Sequence, residues 1–368
     1  MRGRARPATG RAGIQSLPMS DQSAPNPPPL ARDAWIDGHL DLAYLALGDR
    51  PGAGRDLLRR VPDRDAACVS LPDLADGPVR IALATIFTEL GSPDAPCGYR
   101  DAEDLEGAHA AGRRQLDWYL EREAAGDLAI VRSRGDLERA AASEGPLAVV
   151  ILMEGADPIR TPDEAAWWFE RGVRAVGLTW ARGSRYAGGN AAPGPLSAIG
   201  TRLVAALDAC GILHDASHLC DEAFDGLVTC TPRMIVASHS NPRTSVKIDS
   251  QRHLTDAQVR EIAARDGVCG LNVYGKFLAP ATRSATIADA RGVIADVEVL
   301  TGSRHVAALG SDWDGGFTPL DCPEGLRHPS DLTAFARDLA TRLDLDDASI
   351  GALRSGNWLR VLRASLPA

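Results

Sequence analysis

The stretch IDGHLDL at residues 36–42 sets a histidine and an aspartate, His39 and Asp41, two positions apart at the end of an apolar run. Side chains alternate across a strand, so this spacing turns both residues toward one face and one object. Imidazole nitrogen and carboxylate oxygen are donors for a divalent metal ion. The same residue types end or follow later apolar runs: Glu154 ends LAVVILME, His218 follows GILHDAS, His239 stands in MIVASHS and Asp312 ends HVAALGSD. Each alone is bland. Together they require three histidines, two aspartates and one glutamate to fall by chance at the ends of runs assigned on other grounds. Without thiolates the set suits zinc, with manganese, cobalt or iron as substitutes. Five ligands exceed what one tetrahedral zinc with an open position needs, whereas a carboxylate shared by two ions uses them economically, an arrangement suited to hydrolysis.

The elements that must position these residues repeat one grammar after Trp35. A short apolar run, a polar or glycine-containing turn and a longer segment of helical periodicity succeed one another. Eight runs are marked: AWIDGHL, VRIALATIF, LAVVILMEG, VRAVGLTW, GILHDAS, MIVASHS, GVCGLNV and HVAALGSD. Segments such as PLSAIGTRLVAALDACG and TDAQVREIAARDG carry polar residues at their starts and glycine at their ends, the asymmetry of helix caps. Eight strands alternating with helices predict a (β/α)8 TIM-type barrel, whose strand ends open on one rim where active sites assemble. An open doubly wound sheet is disfavoured because no GxGxxG follows the first strand. Residues 1–32, rich in Pro and Arg, are expected to be a disordered leader, with Met19 an alternative start, and 33–368 a single catalytic barrel domain.

The 368 residues, 45% hydrophobic, support a sizeable core. The net charge of -9 argues against nucleic acid or an anionic membrane as partner and leaves a small-molecule substrate. Seven cysteines, odd in number, scattered and without a CxxC pair, read as reduced thiols of a cytoplasmic protein. No stretch is long and apolar enough to span a bilayer. The remaining histidines take structural readings: His109 within a helix, His214 on the opposite face of its strand, His305 before a strand, and His253 and His328 in loops.

The segments IDGHLDL, ILMEG, VGLTW, HDASHL, IVASHS, RHLT, GLNVYGKFL, ALGSDWDGG and GNWLRVL follow one another like the motifs of the membrane (renal) dipeptidase family of binuclear zinc peptidases. The chain resembles that family from about Trp35 to Leu362. The resemblance implies two Zn2+ per chain with a hydroxide between them, His39 and Asp41 on one ion, His218 and His239 on the other, and Glu154 bridging. It implies that Asp312 transfers protons, that Arg252 grips the substrate carboxylate, and that Tyr274 lies in a substrate-facing loop. The implied substrate is a small dipeptide, including ones with a D-residue at the C-terminal position, and a homodimer is a common assembly of the family. One departure is plain: the family commonly reads LTH where this chain reads LTW. Trp180 offers one neutral N–H donor and cannot become cationic. Another amidohydrolase-type activity, such as N-acyl amino acid deacylation, or weakened catalysis is therefore the alternative. Within the adjoining WARGSRYAGGN, Arg182, Arg185, Tyr186 and Asn190 are expected either to build a different pocket wall or to belong to a flexible glycine-rich loop. His253 is expected to cap the next helix and Asp314 to orient the rim.

Overall fold

The apolar runs pair edge to edge in the computed structural model, which describes residues 33–48, 57–60, 63–142, 145–248 and 250–368. The leader expected over 1–32 lies outside the described residues. The strands are β1 (Trp35–Leu40), β2 (Val79–Phe87), β3 (Leu147–Glu154), β4 (Val173–Gly177), β5 (Leu213–Asp215), β6 (Ile235–Val236), β7 (Cys269–Leu271) and β8 (Ala307–Leu309). They hydrogen-bond in the order β6-β5-β4-β3-β2-β1-β8-β7, all parallel. A parallel bridge from Ala237 to Cys269 joins the two ends, so the sheet closes into the expected barrel. A short extra strand, Leu128–Ile130, runs beside β3.

Both faces of such strands are covered, and β3 is accordingly buried at every position. Its residues divide by parity. Val150 and Leu152 pack with Ile36, Leu83 and Val236, whereas Val149, Ile151 and Met153 pack in the larger apolar layer that also holds Leu116, Tyr119 and Trp168 from the helices. Eight helices of nine or more residues are described: α1 (Leu105–Ala125), α2 (Arg134–Ala142), α3 (Ala198–Cys210), α4 (Asp221–Cys230), α5 (Asp256–Ala264), α6 (Ile287–Thr301), α7 (Leu332–Arg342) and α8 (Asn357–Ser365). Their ends obey local chemistry. The side chains of Asp104 and Ser197 accept from the first-turn amides of Gly107 and Gly200, while Gly126 and Gly211 close α1 and α3 with left-handed backbone. None of the described helices is long and apolar enough to cross a membrane.

Close approach of backbones narrows the barrel interior. A Cβ on Gly38, Gly270 or Gly310 would come within 2.7, 1.8 and 1.8 Å of the Ser238 carbonyl oxygen. Ser238, two residues past β6, reaches inward because three neighbours lack side chains. On the same strand end, the Trp358 ring of α8 fills the space that a Cβ on Gly38 would need, and its Nε1 donates to the Leu309 carbonyl at 2.9 Å.

Candidate metal centre and active site

The C-terminal ends of the strands bring the sequence-predicted residues to one place. His39 lies within β1 and Asp41 just past its end, Glu154 is the last residue of β3, and His218, His239 and Asp312 follow β5, β6 and β8. Three overlapping groups, His39–Asp41–Glu154, Glu154–His218–His239 and His39–His239–Asp312, each have potential ligand atoms within 4.8 Å of one another. Glu154 stands in the middle and its two oxygens part company. Oε2 lies 3.4 Å from His39 Nε2, while Oε1 lies 3.0 Å from His218 Nε2 and 3.4 Å from His239 Nε2. His39 Nε2 is 3.6 Å from Asp41 and 4.0 Å from Asp312. His218 and Asp312 hold left-handed backbone, φ 67° and 61°. For a non-glycine residue this costs on the order of 1 kcal/mol and is commonly retained at functional sites.

The cluster is buried, so charge governs it. Burial works against ionising Glu154, but the charge of His39 and the close approach of the His218, His239 and His39 rings outweigh it and hold the carboxyl well below its usual range. Burial likewise opposes a proton on His39, yet the Glu154 charge and the contact with Asp41 keep that ring well above the ordinary histidine value. Burial, Arg252 and His39 push His218 down to about 4, and burial, His39 and Arg252 hold His239 well below normal. Asp312 is raised to about 7, chiefly by burial, with Asp41 and Glu154 adding to it and His39 and Arg252 opposing.

The donor set fits a cation. His218 Nδ1 is 2.9 Å from Asn190 Oδ1, an oxygen that only accepts, so its proton sits on Nδ1 and Nε2 carries a lone pair. That lone pair meets His239 Nε2 at 3.0 Å and Glu154 Oε1 at 3.0 Å. His39 Nε2 is buried with no hydrogen-bond partner. Acceptors turned on one another in a dry place are what a metal ion stabilises and what protein groups alone do not.

Around this cluster, Arg252 is buried with Nη1 donating to Ser240 Oγ at 2.8 Å and Nη2 to the His239 carbonyl at 3.0 Å. Its guanidinium lies 5.6 Å from the Phe277 ring, which meets Tyr274 edge-on, and Tyr274 is stacked in turn on Phe317 at 4.7 Å. Trp180 stands 6.0 Å from the His218 ring and meets Phe87 edge-on at 5.1 Å. The segment after Trp180 includes a hairpin, Ala187–Gly189 with Ala192–Leu196, rather than a structureless loop. Tyr186 is wholly buried with its hydroxyl on the Ile159 carbonyl, Arg185 donates to the Arg160 carbonyl, and Arg182 donates to the Leu90 carbonyl. Asn190, expected in a pocket wall or loop, contacts a site histidine. His253 caps nothing: both ring nitrogens are buried and unpartnered, and Thr255 with Gln258 forms the capping box of α5. Asp314 does steady the rim, accepting from the amides of Cys68 and Val69. His109 and His214 take structural partners, the Pro158 carbonyl and Asp208. Sequence reasoning missed Thr85, whose hydroxyl donates to Asp41, and Asn272, whose Nδ2 donates to Asp312 Oδ2 at 2.8 Å. It also missed Asp215 and Ser238. A polar residue in an otherwise apolar strand, as at Thr85 in VRIALATIF, was the available signal.

A closed parallel barrel that gathers histidines and carboxylates at the C-terminal mouth defines a metal-dependent hydrolase. Residues 30–366 match the family of membrane dipeptidases, peptidase family M19, and the chain belongs to that family of metal-dependent dipeptidases. An uncharacterized protein of the pqqA 5' region in Klebsiella pneumoniae is 29% identical over 65% of this chain and 89% of its own length. Two solved structures share the fold at 24% identity. One is the metallopeptidase dipeptidase AC, with TM-score 0.76 over 92% of this chain and all of that one. The other is a metallopeptidase of Rhodobacter sphaeroides carrying a phosphinate mimic of the dipeptide L-Ala-D-Ala, with TM-score 0.74 over 90% of this chain and 99% of that one.

Proposed function

We propose that this chain hydrolyses dipeptides, among them those with a D-residue in the C-terminal position, on one barrel domain spanning 33–368. His39 and Asp41 would hold one zinc ion, His218 and His239 a second, and Glu154 would join the two. The observation that carries this reading is the division of Glu154, one oxygen toward each group of ligands. When bound, such ions polarise a carbonyl and lower the pKa of water to about 7.

The chain's own residues do the rest. Arg252, fixed from below by Ser240 and the His239 carbonyl, keeps guanidinium N–H groups for the substrate's terminal carboxylate. Asp312 accepts from Asn272 on Oδ2, which leaves Oδ1, on the His39 side, to take a proton and hand it to the leaving nitrogen. Trp180 and Phe87 form an aromatic wall beside His218, and Tyr274 with Phe317 forms another near Arg252. The mimic bound by the Rhodobacter relative supports a dipeptide with a D-residue as the ligand class. The free thiols of all seven cysteines support a reducing compartment such as the cytoplasm. A homodimer is proposed from the family resemblance, with light scattering to check it.

The test is metal quantification coupled to turnover of a mixed L,L and L,D dipeptide library, with N-acyl amino acids as comparison. Two equivalents of zinc and hydrolysis of dipeptides are expected. A protein that carries two ions yet cleaves only N-acyl amino acids would overturn the dipeptide assignment.

A further inference from the structure

Behind the histidines lies a buried group that the catalytic reading does not use. Asp215 ends β5 and its Oδ1 accepts from the backbone amides of Ser217 at 3.0 Å and Ser238 at 2.8 Å. Its Oδ2 lies 2.5 Å from Ser238 Oγ. A carboxylate only accepts, so the single hydroxyl proton of Ser238 goes to Asp215. The serine oxygen is left with lone pairs alone for its other neighbours. The nearest is His239 Nδ1 at 2.7 Å, and Ser217 Oγ at 3.2 Å and His39 Nδ1 at 3.4 Å share what remains. An oxygen that can only accept requires a proton on the nitrogen facing it. His239 must then be protonated on Nδ1, which frees Nε2, the atom aimed at Glu154. Asp215, Ser217, Ser238, His239 and His39 are all at most 3% exposed, so water does not compete for these bonds. Nor does the serine drift, because its carbonyl is enclosed by Gly38, Gly270 and Gly310.

We propose that Asp215 and Ser238 are positioning residues: a carboxylate–hydroxyl relay that fixes the tautomer of His239, and secondarily of His39, so that each presents Nε2 to metal. The inference rests on the metal-centre reading given above. It also makes a directional demand. In Asp215→Asn the amide oxygen in the Oδ1 place still accepts both backbone amides, but an NH2 replaces Oδ2 and donates to Ser238 Oγ. The serine hydroxyl must then turn to His239 Nδ1, which becomes the acceptor, and the ring proton moves to Nε2, where the ligand lone pair has to be.

The experiment takes full-length, 15N-labelled protein stripped of metal by a chelator, records the histidine ring tautomers by long-range 1H–15N spectra, and then titrates zinc against a competing chelator. Wild type should show His239 protonated at Nδ1. Asp215→Asn should show it protonated at Nε2 and bind zinc about 10–100-fold more weakly, the range for loss of an outer partner of a ligand. Ser238→Ala, which removes the acceptor without supplying a donor, should lose less, and Ser217→Ala should retain the wild-type tautomer. An Asp215→Asn protein with His239 still protonated at Nδ1 and undiminished zinc affinity overturns the relay. Wild type that binds no zinc while the tautomer inverts as described would overturn the metal reading and leave the relay standing.

Discussion

Asp312→Asn isolates proton transfer from everything else that residue does. Asp312 holds φ 61°, a left-handed conformation that asparagine accepts about as readily as aspartate, so the exchange adds no backbone strain. The Asn272 amide donates to Oδ2 at 2.8 Å, and an amide oxygen in that place accepts the same bond. The backbone bond from the Asp312 amide to the His39 carbonyl is untouched. What disappears is a group on the Oδ1 side able to take and return a proton. General acid–base catalysis is worth about 10²–10⁴-fold, or ~3–5 kcal/mol of barrier, so kcat should fall by that factor. KM should stay near wild type, because Arg252 is held by Ser240 and the His239 carbonyl. The pH profile gives a second readout. Protein groups raise Asp312 to about 7, and neighbouring cations favour its carboxylate form, so wild-type kcat/KM should rise with pH through a midpoint at or below that value. The variant should lack this limb. Steady-state kinetics from pH 5 to 9 with metal analysis decides: full turnover refutes the proton-transfer role, and activity lost in step with metal makes Asp312 a ligand instead.

Stripping metal with a chelator should abolish hydrolysis and lower the melting temperature, since ions at 100 times their dissociation constant stabilise by about 2.7 kcal/mol per site. Calorimetry with and without chelator checks this, and an unchanged transition would argue against a metal joining the strand ends. Trp180→His should raise kcat for dipeptides roughly tenfold by supplying a donor able to become cationic. It should also cost about 1 kcal/mol through the lost edge contact with Phe87; unchanged or lower kcat would show that the indole is not what limits the reaction. Asp157 is buried and raised to about 6, chiefly by burial, with the Tyr99 hydrogen bond opposing. Its proton is held more tightly folded than unfolded, so its contribution is full below about pH 4 and lost as pH rises through about 6. Asp157→Asn should therefore gain up to roughly 3 kcal/mol over wild type at pH 7 and little at pH 4; urea melts at the two pH values test it, and equal gains at both would contradict the burial argument.

The barrel and its six principal polar residues were legible because each of those residues ends or follows a run whose apolar character is unmistakable. His39, Glu154 and Asp312 needed no tertiary information beyond the rule that strand ends of a closed parallel sheet share a rim. The supports behind them were not legible for a physical reason. Asp215 precedes His218 by three residues and Ser238 directly precedes His239, so in sequence they read as mere neighbours of candidate ligands, while the bond that couples the two runs from the end of β5 to the segment after β6. Asn190 comes from a glycine-rich stretch whose hairpin is set by contacts with Ala181 and His218 rather than by local propensity. The cap expected at His253 was misplaced although TDAQ, a threonine followed three residues later by glutamine, carries the capping-box signal at Thr255.

The indole of Trp358 pressed on Gly38 has a consequence for how the molecule is made. The first strand and the side chain that seals it are separated by 320 positions. Throughout synthesis of the intervening chain, β1 waits without that partner, its apolar surface available for stray association. A topology whose decisive contact is this remote in sequence folds slowly and is vulnerable on the way. Export of α8 from the ribosome, rather than emergence of any catalytic segment, is the event that seals β1.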